Sequence, residues 1–136
     1  MAEQHGALDG LDGVELLRIA SETLMEQVGP AVPGDRRYEL LMANNAIGIA
    51  SRELEAGEGP GRAALARLEA LYGESPTDDD WRGRLSELTA RFAADIRSGA
   101  FDEGPRRDAA LAHVREATLD AVRVGNPRYL QRRGIE

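Results

Sequence analysis

Apolar positions along the chain recur every three to four residues, and the breaks between the repeating stretches fall at glycine and proline. Val14, Leu17, Leu24 and Val28 lie at helical spacing, with Leu16 and Ala20 widening the stripe, and Gly29-Pro30 closes the run. Such spacing puts one apolar face on a helix, and Asp12 supplies the short acceptor an N-cap needs. After the connection Pro30 to Gly34, Asp35 is placed to cap a second helix reaching about Ala56. That helix is apolar on two sides. Tyr38, Leu41, Met42 and Ile49 make one stripe and Leu40, Ile47 and Leu54 another. A helix apolar over most of its circumference must be covered from several directions, so it is expected at the centre of the fold.

Gly57 stops the second helix, and Pro60 sits where the first turn of a third tolerates it. The third carries Leu65, Leu68, Leu71 and Tyr72 and ends at Gly73. Thr77, followed three residues later by Asp80, resembles a capping box before a fourth helix with Trp81, Leu85, Leu88, Phe92 and Ile96. Gly99 ends it. Beyond Gly104-Pro105 a fifth helix carries Leu111, Val114, Thr118, Leu119 and Val122, and Asn126-Pro127 is expected to stop it. No stretch alternates with the period of two that a strand requires. The pattern therefore predicts an all-α protein, an up-and-down bundle of four to five helices, because short connections favour antiparallel neighbours. Residues 1–11 lack periodicity and read as a disordered tail, 12–130 as a single helical-bundle domain, and 131–136 as a C-terminal tail. A chain of 136 residues suits one core better than two.

Composition narrows the chemistry. Only 4% of residues are aromatic, so the core must be built from aliphatic side chains, and the strand formers are scarce. A formal charge of -7 argues against a nucleic-acid partner, since phosphate backbones demand a basic surface. The charge is uneven: residues 1–34 hold six carboxylates against Arg18 alone, while Arg123, Arg128, Arg132 and Arg133 crowd the C-terminus. There is no cysteine, which removes disulfides, thiolate nucleophiles and Cys-ligated zinc. There is no lysine either, which removes Schiff-base chemistry and the phosphate-loop lysine. No basic segment followed by an apolar run opens the chain, and the longest uncharged stretch, Leu40 to Ser51, is far short of the roughly 20 residues that span a bilayer. A cytoplasmic location without membrane insertion is expected.

The candidate sites are few. The glycine-rich Gly57 to Arg62 follows a helix and lacks the lysine and hydroxyl of a phosphate loop, so it reads as a linker. Asp78 to Asp80 reads as a helix cap, where carboxylates meet the positive end of the dipole. His113, Glu116 and Asp120 share one helix face, but a dinuclear bundle site wants two Glu-x-x-His motifs and the helices offer one histidine. No metal, no cofactor and no catalytic residue is expected, and no serine stands in a strand-turn-helix elbow. Asn44-Asn45 is the most informative polar feature, because asparagine is unfavourable mid-helix and a buried amide must be paired. Asn45 shares the stripe of Tyr38, Leu41 and Ile49 and is expected to face other helices. It reads either as an interhelical hydrogen bond that fixes register or as a polar anchor in a ligand pocket, with Arg52 one turn on as an anion partner and His113 as a third member.

Three segments carry a resemblance: Asn44-Asn45-Ala46-Ile47-Gly48-Ile49-Ala50-Ser51-Arg52-Glu53-Leu54-Glu55, Ile96-Arg97-Ser98-Gly99-Ala100-Phe101-Asp102, and His113 through Leu119 closing on Asn126-Pro127-Arg128-Tyr129-Leu130. Over Tyr38 to Leu130 the chain resembles an uncharacterised bacterial helical domain family, typically encoded beside aminoglycoside-phosphotransferase-like kinases and acyl-CoA dehydrogenases. The resemblance implies an accessory role in acid catabolism, with a kinase or acyl-CoA dehydrogenase as partner and no catalytic residue to assign. Two functions are therefore carried forward. One is a non-enzymatic interaction protein docking through Asn126, Arg128 and Tyr129, and the other a small-ligand binder or weak enzyme using Asn45, Arg52 and His113. A homodimer through an uncovered stripe of the fourth helix is compatible with either.

Overall fold

The computed structural model describes residues 11–135, so the expected tail 1–11 lies outside the described residues except for Leu11, as does Glu136. The described residues form six α-helices and no strand element: α1 Gly13–Glu22, α2 Arg37–Ala56, α3 Gly59–Tyr72, α4 Trp81–Arg97, α5 Arg107–Gly125 and α6 Pro127–Arg133. The all-α expectation holds. The count exceeds four to five because Pro127 does more than stop α5. Its fixed φ and missing N–H suit the first turn of a helix, so it opens α6, and residues 131–133 expected in a tail are helical.

The chain divides between Gly57 and Glu58 into two compact units. The first is a helical hairpin. Asp12 caps α1 as expected, its side chain accepting from Glu15 N at 2.9 Å. Helical winding then loosens into a π turn over Thr23–Val28, followed by 3₁₀ turns at Gly29–Ala31 and Gly34–Arg36. Asp35 lies within the last of these and does not cap α2; Arg36 holds the N-cap position and makes no side-chain cap. Two contacts between α1 and α2 and a third from the turn after α1 fix the two helices as antiparallel. A Cβ on Gly13 would lie 3.3 Å from Leu54, Ser21 Oγ donates to Asn44 Oδ1 at 2.7 Å, and a Cβ on Gly29 would lie 3.4 Å from Leu40. As one index rises the other falls. Among the described residues of this unit Leu40 is the buried apolar side chain, and Asn44, Ile47 and Ser51 continue its face half-buried.

The second unit holds the aliphatic and aromatic core: Leu65, Leu68, Leu71, Trp81, Leu88, Phe92, Phe101 and Ala110. Here the up-and-down expectation requires correction. Glu58 pairs with Arg82, Gly61 lies against Trp81 and Leu85, and Tyr72 donates to Asp95 at 2.7 Å, so contacts advance together and α3 and α4 run in the same direction. The strap from Gly73 to Asp80 carries the chain back. Glu74 pins it to α4 by pairing with Arg84 and accepting from Arg91 Nη1 at 3.0 Å. Gly73 ends α3 in the left-handed conformation that glycine tolerates best. At the start of α4 the expected carboxylate cap within Asp78 to Asp80 forms, and the Thr77 capping box does not. Asp80, rather than Thr77, is the cap: it adopts φ 44° and its Oδ1 accepts from Gly83 N at 3.3 Å. Aspartate is among the few residues other than glycine that enter that region readily, because its short side chain hydrogen-bonds locally. Trp81 is buried with the guanidinium groups of Arg62 and Arg82 4.8 and 4.4 Å from its ring centroid, and Glu58 accepts from both arginines. Hydrogen bonds from Arg82 first and Arg62 second hold the Glu58 carboxyl below the usual range.

Candidate functional site

The second unit builds an apolar cleft where the end of α4, the turn after it and the start of α5 meet. Phe92 is fixed in the core of α4, Phe101 packs against it from the turn with ring centroids 5.4 Å apart, and Ala110 comes from the second turn of α5. The small Ala110 side chain leaves space above the two rings. The result is a cleft of about 280 Å³ lined by Phe92, Ile96, Phe101, Asp102, Arg107, Ala110, Leu111 and Val114. Its floor is buried, whereas its walls are not: Ile96 is 46%, Leu111 53% and Val114 42% exposed. Large aliphatic side chains held this open to water beside a ready-made apolar floor mark an interaction surface more than a random surface leucine does. Asp102 and Arg107 add one charge of each sign. The Arg106 guanidinium covers the other side of Phe101, 5.3 Å from its centroid, and so helps hold the floor.

Behind Phe92 lies a buried polar contact. His113 is buried, meets Phe92 edge-on at 5.0 Å and 88°, and accepts from Arg67 Nε through Nδ1 at 3.3 Å. Burial, and then the neighbouring Arg67 charge, hold the His113 pKa below its ordinary value. The ring is therefore neutral at pH 7, with its proton on Nε2 if Nδ1 is to accept. Arg67 Nη2 is buried without a hydrogen-bond partner. The contact joins α3 to α5 and supports the floor of the cleft without lining it. Glu116 is exposed, and Asp120 is paired with Arg123 at 2.9 Å.

The other expected site residues lie elsewhere. Asn44, not Asn45, faces α1 and accepts the Ser21 hydroxyl, so the interhelical bond belongs to the first member of the pair. Asn45 is exposed. Arg52 is half-buried, with its guanidinium folded over Gly48, whose Cβ would lie 3.2 Å from Nη1. Asn45 and Arg52 belong to the first unit and His113 to the second. Asn126 joins α5 to α6, its N–H donating to Val122 O at 2.8 Å and its carbonyl accepting from Tyr129 N at 3.0 Å. Arg128 and Tyr129 are both exposed on α6, and the Arg133 guanidinium stands 5.5 Å from the Tyr129 ring centroid. Sequence reasoning identified Phe92, Ile96, Leu111 and Val114 as stripe residues but not as walls of one cleft. Phe101 was the available signal, since a phenylalanine in a glycine-flanked turn needs a place to pack.

Comparison with known families bears on both units. The family model described as domain of unknown function DUF6285 matches residues 30–129. The chain belongs to this family. The DUF6285 match takes in α2 through α5 and the Asn126-Pro127-Arg128-Tyr129 segment, and leaves α1 outside. No curated protein and no solved structure shows detectable similarity to this DUF6285 chain.

Proposed function

We propose that this DUF6285 protein is a non-enzymatic accessory module that docks on a partner protein, and that the cleft between α4 and α5 receives an amphipathic helix of that partner. The observation that carries the reading is the open cleft itself. Half-exposed Ile96, Leu111 and Val114 rise around a floor of Phe92, Phe101 and Ala110. A groove of this kind takes apolar anchors spaced a helical turn apart, whereas a small-molecule pocket encloses most of its ligand. Arg107 and Asp102 would then pair with an acid and a base flanking those anchors, fixing the direction of the incoming helix. Arg128 and Tyr129, exposed together on α6, offer a secondary contact. The kinases and acyl-CoA dehydrogenases implied by the family resemblance are the partners to test first.

The test is co-purification with each candidate partner, followed by Leu111→Glu and Val114→Glu. Both side chains are about half exposed, so the variants should keep helical circular dichroism while binding weakens by about tenfold or more. Arg128→Ala should weaken it by a smaller factor. Binding that survives a charge in the cleft but disappears with Arg128→Ala moves the docking surface to α6. Absence of any complex at micromolar concentrations refutes the reading.

A further inference from the structure

We infer that the outward face of α2 is a self-association seam, closed by a second copy of this chain about a two-fold axis that passes between the two Asn45 amides. This does not rest on the docking cleft, which lies in the other unit. The face turned to α1 is Leu40, Asn44, Ile47 and Ser51. Tyr38, Met42, Asn45 and Ile49 follow one another at spacings of four, three and four on a different face, which is the heptad spacing of a helix-pairing seam. Tyr38 is 73% exposed and Met42 48%, Asn45 is exposed, Ile49 at the end of the row is half-buried, and Leu41 flanks them at 47%. Asn45, which looked like a buried anchor, is instead the polar member of an otherwise apolar seam.

Two observations point to a second copy rather than an unrelated partner. A primary amide carries both donors and an acceptor, so the group that best satisfies Asn45 across a two-fold axis is another Asn45. A single asparagine in such a seam sets register and oligomeric state at some cost in stability. The second observation is electrostatic. The chain carries a net charge of -7, which opposes self-association over most of its surface, yet from Leu40 to Ser51 there is no charged residue. The seam lies inside that neutral window, apart from Tyr38 just before it. From Tyr38 to Ile49 it runs about 17 Å at 1.5 Å per residue. A contact of that length buries less than the ~1,200 Å² of a stable interface, so the dimer is a weak one that forms in the micromolar range.

Sedimentation of the full chain from about 1 to 200 µM should show a shift from monomer to dimer mass. Asn45→Asp places two carboxylates on the axis and should raise the dissociation constant at least ~10-fold, with helical circular dichroism unchanged because the position is exposed. Since the chain has no cysteine, Asn45→Cys introduces one thiol per chain. Under mild oxidation it should form a disulfide-linked dimer, and Ala43→Cys, also exposed but on the far side of α2, should not. Monomer mass at every concentration overturns the inference. So does equal cross-linking of the two cysteine variants, or self-association that Asn45→Asp leaves intact. Loss of the dimer through Leu111→Glu instead would assign self-association to the cleft and overturn the α2 seam while leaving the cleft an interaction surface.

Discussion

Two glycines in helix interiors give the same substitution opposite signs. Gly48 lies in the middle of α2, and a Cβ there meets the Nη1 end of Arg52 at 3.2 Å. A guanidinium on a flexible stem can give by a few tenths of an ångström. Gly48→Ala should therefore recover most of the helix-propensity gain of alanine over glycine, about 0.5–1 kcal/mol. Gly61 lies in the first turns of α3, and a Cβ there meets Trp81 carbons at 2.8 and 3.0 Å and Leu85 at 3.8 Å. The Trp81 ring cannot withdraw so easily, because it is buried in the core and flanked by Arg62 and Arg82. Overpacking of that kind costs about 1–3 kcal/mol, against a propensity gain reduced near a helix end, so Gly61→Ala should lose about 1–2 kcal/mol. Urea titration reads both directly, and thermal melting should show shifts of a few degrees in opposite directions. A gain in stability on Gly61→Ala would refute the close approach of α3 to Trp81, and a loss on Gly48→Ala would show that the Arg52 side chain does not give way.

Acidification should weaken the second unit through His113. Its pKa in the folded state is lowered by burial and then by Arg67, so below the ordinary value of 6.5 the unfolded chain takes up the proton first. Stability contributed by the neutral ring is complete above pH 6.5 and declines as pH falls below it. His113→Gln should flatten that part of the profile in urea titrations at about pH 5 to 7, and an unchanged slope would show that His113 is not the group responsible. Leu88, 1% exposed at the centre of the core, should cost about 2–5 kcal/mol on replacement by alanine. A loss below about 1 kcal/mol in the same titration would mean that the core is looser than described.

Helices were legible in the sequence wherever one apolar stripe met a clear stop, as in α3 between Pro60 and Gly73 and in α4 from Trp81 to Ile96. The facing of α2 was not, for a physical reason. Its two apolar stripes are similar in strength, so only the position of α1 decides which is covered, and the choice of the wrong stripe moved the buried amide from Asn44 to Asn45. Direction was hidden as well. Eight residues between α3 and α4 suffice either for a relaxed turn or for a return strap, and the Glu74 ion pairs that select the strap are long-range contacts. The carboxylate cap before α4 was legible as Asp78 to Asp80, whereas the Thr77 capping box did not form, because Asp80 itself enters left-handed backbone that is rare outside glycine. Of the candidate site, the wall residues were visible one by one. The cleft was not, since it exists only where segments around residues 92–96, 101–102 and 107–114 converge.

The strap between α3 and α4 has limited slack. From the level of Tyr72 back to that of Gly61 is about 16 Å along the helix axis, with about 10 Å of sideways travel between neighbouring helices, a span of about 19 Å. The nine Cα–Cα steps from Tyr72 to Trp81 reach at most ~30–32 Å. Insertions here would bulge harmlessly into water, whereas losing about four residues would leave ~17–18 Å, too short to start α4 beside Gly61. Among natural variants of this architecture, length at the strap should be free to grow and able to shrink by only a few residues.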